Sequence, residues 1–138
     1  MARAAGYSGK TLTEKLGLKA GLAAAVVDAP GDYRRLLGHV PAGVLFLPSS
    51  AGDLDFVHVF VRERTALHTA LRDLRGRIRP QGMIWISWPK KPSRTETDVT
   101  EAVVRAEAIA VGLVDVKGCA IDETWSGLKL VIPVKDRK

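Results

Sequence analysis

One cysteine, Cys119, stands in the whole chain. That leaves no internal disulfide framework and no cysteine-built zinc site. Long apolar runs are missing as well. Gly21 to Val27 is strand-sized, far short of the roughly 20 residues that a membrane span needs. The opening, Met1 to Lys19, alternates charge with apolar residues and shows no signal-peptide core. No repeat and no low-complexity segment occurs. A soluble cytoplasmic protein is the expectation, with no membrane partner. What is present is ordinary for a globular domain: 138 residues, 46% hydrophobic and 26% charged. Such a balance excludes disordered, collagen-like and rod-like chains. One domain over 1–138 is expected, with 1–20 as an N-terminal arm and short helix. A chain of this length buries about two-thirds of its unfolded surface and can hold a core.

The charge is less ordinary. Twenty-one Lys and Arg stand against 15 Asp and Glu, for a net charge of +6. Residues 1–61 carry 6 basic and 5 acidic side chains, and residues 62–138 carry 15 and 10. A basic surplus points to acidic partners: an anionic small molecule, an acidic protein surface or nucleic acid.

The residue pattern alternates helices with strands. Thr11 and Glu14 make a capping-box pair before a short helix that Gly17 ends. Leu22–Val27 is apolar without alternation, which suits a strand covered on both faces. Asp32–Leu37 predicts two helical turns, and Val44–Leu47 and Asp55–Val61 predict strands. From Glu63 to Ile78, Leu67, Leu71, Leu74 and Ile78 recur on one helical stripe. Pro80-Gln81-Gly82 reads as the turn out of that helix, and Met83–Trp88 as a strand. A second long helix is expected over Asp98–Val111, capped by Asp98 with Glu101. Its expected buried stripe is Val99, Ala102, Val103, Ala106 and Ala110. Val114–Ile121 and Trp125–Val134, around Asp122-Glu123-Thr124, read as an antiparallel hairpin. This order predicts an α/β fold: a mostly parallel Rossmann-like sheet with helices on both faces and a C-terminal antiparallel hairpin.

In such sheets, ligands bind beyond the carboxyl ends of the parallel strands. The segments there are Asp28 to Gly31, Arg62 to Thr65, Trp88 to Lys91 and, if the hairpin strands run that way, Asp122 to Ser126. The candidate ligand-binding residues are therefore Asp28, Gly31, Trp88, Lys90, Lys91, Asp122, Glu123 and Trp125. Either lysine could meet an anion, and either tryptophan offers a stacking face. The plainer reading is that the tryptophans pack the hairpin while the charges pair in solvent.

Two resemblances rest on particular motifs. Gly6-Tyr-Ser-Gly-Lys10, Ser87-Trp-Pro-Lys-Lys91 and Asp122-Glu-Thr-Trp-Ser-Gly-Leu-Lys129 together resemble a bacterial family of small proteins of unknown function. That resemblance implies a stand-alone cytoplasmic protein and brings no activity. Leu74 to Trp88, a helix followed by Arg-Pro-Gln-Gly and an apolar strand, is similar to the C-terminal half of class I S-adenosylmethionine-dependent methyltransferases. Their turn is Lys/Arg-Pro-Gly-Gly, and Gln81 replaces one glycine. The final hairpin is also similar to theirs. The cofactor half departs from that family. Asp28-Ala-Pro-Gly31 holds one glycine where a cofactor turn usually has three, and Pro30 removes a backbone donor. After Leu47 comes Pro48-Ser49-Ser50, with no carboxylate for a ribose until Asp53.

Other chemistry finds little support. His39, His58, His68 and Cys119 lack metal-ligand spacing. His58 lies in an apolar strand and reads as a core histidine. Cys119 reads as a small buried hydrophobe. No nucleophile elbow surrounds Ser126, and Gly6–Lys10 lacks the spacing of a phosphate loop. Arg64, His68, Arg72, Arg75 and Arg79 form a basic stripe opposite the leucines, a candidate phosphate surface or simply a solvated face. The resulting expectation is a methyltransferase-like protein that binds a ligand or partner without catalysis, and without S-adenosylmethionine. The alternatives are a divergent methyltransferase that does use it, and nucleic-acid binding through the arginine stripe.

Overall fold

The structure is a computed structural model that describes residues 11–137. The Gly6–Lys10 motif, and most of the N-terminal arm, lie outside those residues. Helix α1 spans Leu12–Leu16, and its capping box is complete. Glu14 N donates to Thr11 Oγ1 at 3.2 Å while Thr11 N donates to Glu14 Oε1 at 2.9 Å. Then come β1 (Ala23–Val27), α2 (Tyr33–Leu37), β2 (Leu45–Phe46), β3 (Leu54–Phe60) and α3 (Arg64–Leu74). The second half holds β4 (Ile78–Pro89), α4 (Glu101–Ala110), β5 (Val114–Ala120) and β6 (Trp125–Val131).

The six strands form one sheet in the order β2-β1-β3-β4-β6-β5. The first four run parallel, and β6 lies antiparallel to both β4 and β5. This is the mostly parallel α/β sheet, closed by an antiparallel hairpin, that the element order implies. Strand alternation splits the core into two. Val57, Val59, Ile84 and Ile86 pack with the leucines of α3 and with Val104 and Ala108 of α4. Phe56, Phe60 and Trp85 pack on the other face with Leu12, Leu16, Tyr33 and Leu37 of α1 and α2. Trp85 Nε1 donates to Leu16 O at 2.9 Å, which fastens α1 to the sheet.

Three local expectations need correction. Helix α3 stops at Leu74, so Ile78 belongs to β4, where it pairs with Leu54. Leucine periodicity runs on through the turn at Gly76 because both elements face one core. Pro80 and Gly82 do not lead into β4 but sit inside it, in an irregularity between the Leu54–Ile78 and Phe56–Met83 pairs. An excursion of this kind tolerates a proline, whose missing N–H would break a regular ladder. The buried face of α4 is Val104 and Ala108, with Val99 ahead of it, and Ala102, Ala106 and Ala110 are exposed. The helix is capped by Thr100, whose Oγ1 accepts from Val103 N at 3.2 Å. Asp98 serves a different helix: its Oδ1 accepts from Arg64 N, at the start of α3, at 2.7 Å.

Candidate functional site

Connections diverge at the middle of the sheet. Strand β1 leads through α2 to β2 on one side, and β3 leads through α3 to β4 on the other. Such a divergence opens a crevice at the carboxyl ends of the strands. Here it is a cleft of about 750 Å³, lined by Asp28 to Pro30 after β1, Phe60 to Glu63 at the end of β3, Ala66 of α3, and Glu96 and Trp125. A second groove of about 630 Å³ shares Arg62, Glu63 and Glu96 with it and adds Lys91, Arg94 and Asp98.

Trp125 reaches the cleft because β6 is antiparallel to β4 and β5, which puts the hairpin turn at the carboxyl end of β4. Lys90 N donates to Thr124 O at 2.7 Å and ties that turn to the end of β4. Asp122 shapes the turn, with Oδ1 accepting from Thr124 N and Trp125 N, each at 2.8 Å. The Trp125 ring then stands edge-on to Phe60, centroids 5.0 Å apart. The Arg62 guanidinium lies 5.5 Å from the Trp125 centroid, within cation–π range.

The expected residues separate into distinct roles. Asp28 and Trp125 line the cleft. Asp28 has φ of 55°, a left-handed conformation that a non-glycine residue adopts at a cost of roughly 1 kcal/mol. Lys91 lines the adjoining groove. Lys90 and Asp122 act through the backbone contacts just described, and Glu123 is exposed in the turn. Gly31 is exposed, and a Cβ there would have no heavy atom within 4 Å. Trp88 is buried against the opposite face, in the core built with α3 and α4. Four aromatic or charged cleft residues, Phe60, Arg62, Glu63 and Glu96, were not among the candidate ligand-binding residues. Arg62 and Glu63 sit just past the carboxyl end of β3, a position that strand direction marks. Glu96 comes from an irregular loop and carries no sequence signal.

The charge of the cleft follows from this sorting. Asp28, Glu63 and Glu96 line it against Arg62 alone. In a chain of net charge +6, the crevice at the strand ends is therefore locally acidic. The adjoining groove is balanced, with Arg62, Lys91 and Arg94 against Glu63, Glu96 and Asp98.

Behind Phe60 lies a buried polar chain. The His58 ring stacks on Phe60 with centroids 4.3 Å apart. Its Nδ1 hydrogen-bonds with Tyr33 Oη at 2.9 Å and its Nε2 with Ser87 Oγ at 2.7 Å. Burial pushes the imidazole down to about 3 and holds it neutral, and it raises the Tyr33 phenol well above its ordinary value. His58 is thus a satisfied core histidine, stacked against Phe60.

The arginine stripe is largely engaged by carboxylates. Glu107 of α4 accepts from Arg64 Nε at 2.9 Å and pairs with His68 Nδ1 at 2.8 Å. These two partners hold its carboxyl below the usual range. Arg79 lies in β4 and pairs with Asp55 at 3.2 Å. Arg72 is exposed, and the Arg75 Nε is buried without a hydrogen-bond partner among the described residues. Among the same residues, no cluster of three or more His, Cys, Asp or Glu could hold a metal ion, and no helix is long and apolar enough to cross a membrane.

The donor set fits one part of S-adenosylmethionine. Its sulfonium and ammonium charges suit the carboxylates of Asp28, Glu63 and Glu96. Its ribose has no carboxylate after β2, where Leu47 and Pro48 stand.

Solved structures share this architecture. A SAM-dependent methyltransferase from Aquifex aeolicus matches with a TM-score of 0.58 and 15% identity, over 88% of each chain. Magnesium protoporphyrin IX methyltransferase from Synechocystis, solved with bound SAM, matches with 0.57 and 12%, over 88% of this chain and 74% of its own. The ribosomal protein L11 methylase of Lactobacillus delbrueckii matches with 0.55 and 11%, over 88% and 74%. At these identities the likeness is one of fold. No protein-family model and no curated protein matches the chain.

Proposed function

We propose that this methyltransferase-fold chain is a divergent S-adenosylmethionine-binding protein whose carboxyl-end cleft receives the positively charged end of the ligand. The observation that carries this reading is the acidity of the cleft within a basic protein. Asp28, Glu63 and Glu96 offset a sulfonium and an ammonium, while Arg62, held near the Trp125 ring, pairs with the ligand carboxylate. Methyltransferase architecture supports S-adenosylmethionine as the first ligand to try. A second reading, binding without methyl transfer, is supported by the Pro30 turn and by the missing carboxylate after β2.

Calorimetric titration tests both. S-Adenosylmethionine is expected to bind at least tenfold more tightly than S-adenosylhomocysteine, which lacks the sulfonium charge. Absence of heat with either at millimolar concentration ends both readings. Asp28→Gly is expected to weaken the methionine ligand about tenfold while raising stability by about 1 kcal/mol, because glycine adopts φ of 55° without strain. A thermal midpoint that rises with affinity unchanged would remove Asp28 from the site. Bound cofactor that loses its labelled methyl group to a cell extract supports transfer, and cofactor recovered intact supports binding alone.

A further inference from the structure

Every ion pair among the described residues uses an arginine or a histidine. The lysines are left aside, and four of them converge on one face. Lys117 of β5 stands directly opposite Lys129 of β6 in the antiparallel register. Lys117 Nζ donates to Lys15 O of α1 at 3.2 Å, which brings the end of that helix to the same place. Lys19 follows in the loop after α1. Partial burial lowers the Lys129 ammonium, and the charges of Lys117 and Lys19 lower it further. Like charges directly opposite on paired strands destabilise a sheet.

We propose that Lys15, Lys19, Lys117 and Lys129 form a docking surface for the phosphate backbone of a nucleic-acid duplex. Lysine ammonium groups act on phosphates as point charges, and each contact releases counterions. Two features favour a duplex over other polyanions. A protein partner needs an apolar or aromatic centre, and lysine is depleted at such interfaces. A single strand needs aromatic platforms for its bases, and among the described residues the exposed large hydrophobics, Leu45, Ile109, Val114, Val116 and Val134, include no aromatic ring. Contact is thus to the backbone and independent of base sequence. This surface is separate from the acidic cleft and from the arginine stripe, where Arg64, His68 and Arg79 already face carboxylates.

Fluorescence anisotropy of the full chain with a labelled 30-base-pair duplex tests the surface. Four contacts predict an affinity loss of about 150-fold between 50 and 200 mM salt. Lys117→Gln combined with Lys129→Gln is expected to bind more weakly at 50 mM, to cut that salt loss to about 12-fold, and to raise the thermal midpoint by removing the opposed charges. Should that variant be unstable, Lys19→Gln, outside the helices and strands, is expected to lower the log–log salt slope by about 0.9. Two duplexes of unrelated sequence are expected to bind alike. The proposal is overturned by absence of binding at 50 mM salt, or by binding that the lysine variants leave unchanged. It is equally overturned if Arg72→Gln with Arg75→Gln abolishes binding while the lysine variants do not. Displacement of the duplex by poly-glutamate at equal charge would instead assign the surface to an acidic protein.

Discussion

Acidification from pH 6.5 towards pH 3 is expected to destabilise the protein steadily through His58 alone, by on the order of 1 kcal/mol per pH unit. Its imidazole is fully buried in β3, stacked on Phe60 and edge-on to Phe56 and Tyr33. Both ring nitrogens are occupied by neutral hydroxyl partners, Tyr33 and Ser87. Burial takes its folded value down to about 3 from an ordinary 6.5. Between those limits the unfolded chain holds one more proton than the folded chain. The His58 contribution is therefore complete above pH 6.5, falls as pH drops through the window, and is gone below about pH 3. The total is on the order of 5 kcal/mol, a large share of a typical domain stability of 5–15 kcal/mol. Urea unfolding at a series of pH values measures it. Glu107 acts at the acid end as well, since its lowered pKa means that its contribution also fades as the carboxyl is protonated. A His58→Gln variant separates the two: it is expected to keep the Glu107 part and lose the long slope above pH 5. Equal slopes in the two proteins would assign the acid sensitivity elsewhere.

The second large effect lies at Gly82. A Cβ there would stand 2.9 Å from Leu54 O and 3.0 Å from both Arg79 O and Ile78 Cβ. Two of these atoms are backbone carbonyls, and Leu54 is held by its pairing with Ile78. Neither can retreat without opening the β3–β4 ladder at the point where β4 makes its excursion. Gly82→Ala is expected to cost about 3 kcal/mol and to lower the thermal midpoint by about 10 °C. Gly31→Ala is the matched control, since its Cβ meets nothing within 4 Å, and a shift within about 0.5 kcal/mol is expected. Similar losses in both variants would show that the cost is intrinsic to replacing glycine and not to the close approach at Gly82. Position 81 of the same excursion is exposed, so Gln81 stands free of that constraint.

Part of the cleft was legible because strand direction is legible. Apolar runs separated by helical stripes predict parallel strands, and parallel strands place a crevice at their carboxyl ends. Asp28 and Trp125 followed from that rule. Trp88 did not obey it, because its position two residues before the lysine pair leaves open which face of the sheet it meets. Alternation along β4 sends Trp85 to one core and Trp88 to the other. The pairing of charges was not legible either. Arg64 and Glu107 are 43 residues apart and His68 and Glu107 are 39 apart, so a stripe that looks free on a helical wheel meets the neighbouring helix instead.

The order of residues alone determined the element types, the capping of α1, the mostly parallel sheet with its terminal hairpin, and the burial of His58. All of these depend on local periodicity and on interactions within a few residues. Tertiary structure decided the end of α3, the buried face of α4, the acidity of the cleft and the convergence of the four lysines. Those outcomes depend on which distant segments are brought side by side, and periodicity does not carry that information. The basic surplus of the whole chain thus hides two surfaces of opposite sign, an acidic crevice at the strand ends and a lysine face on β5 and β6. They are kept apart by the sheet that the pattern of strands had already implied.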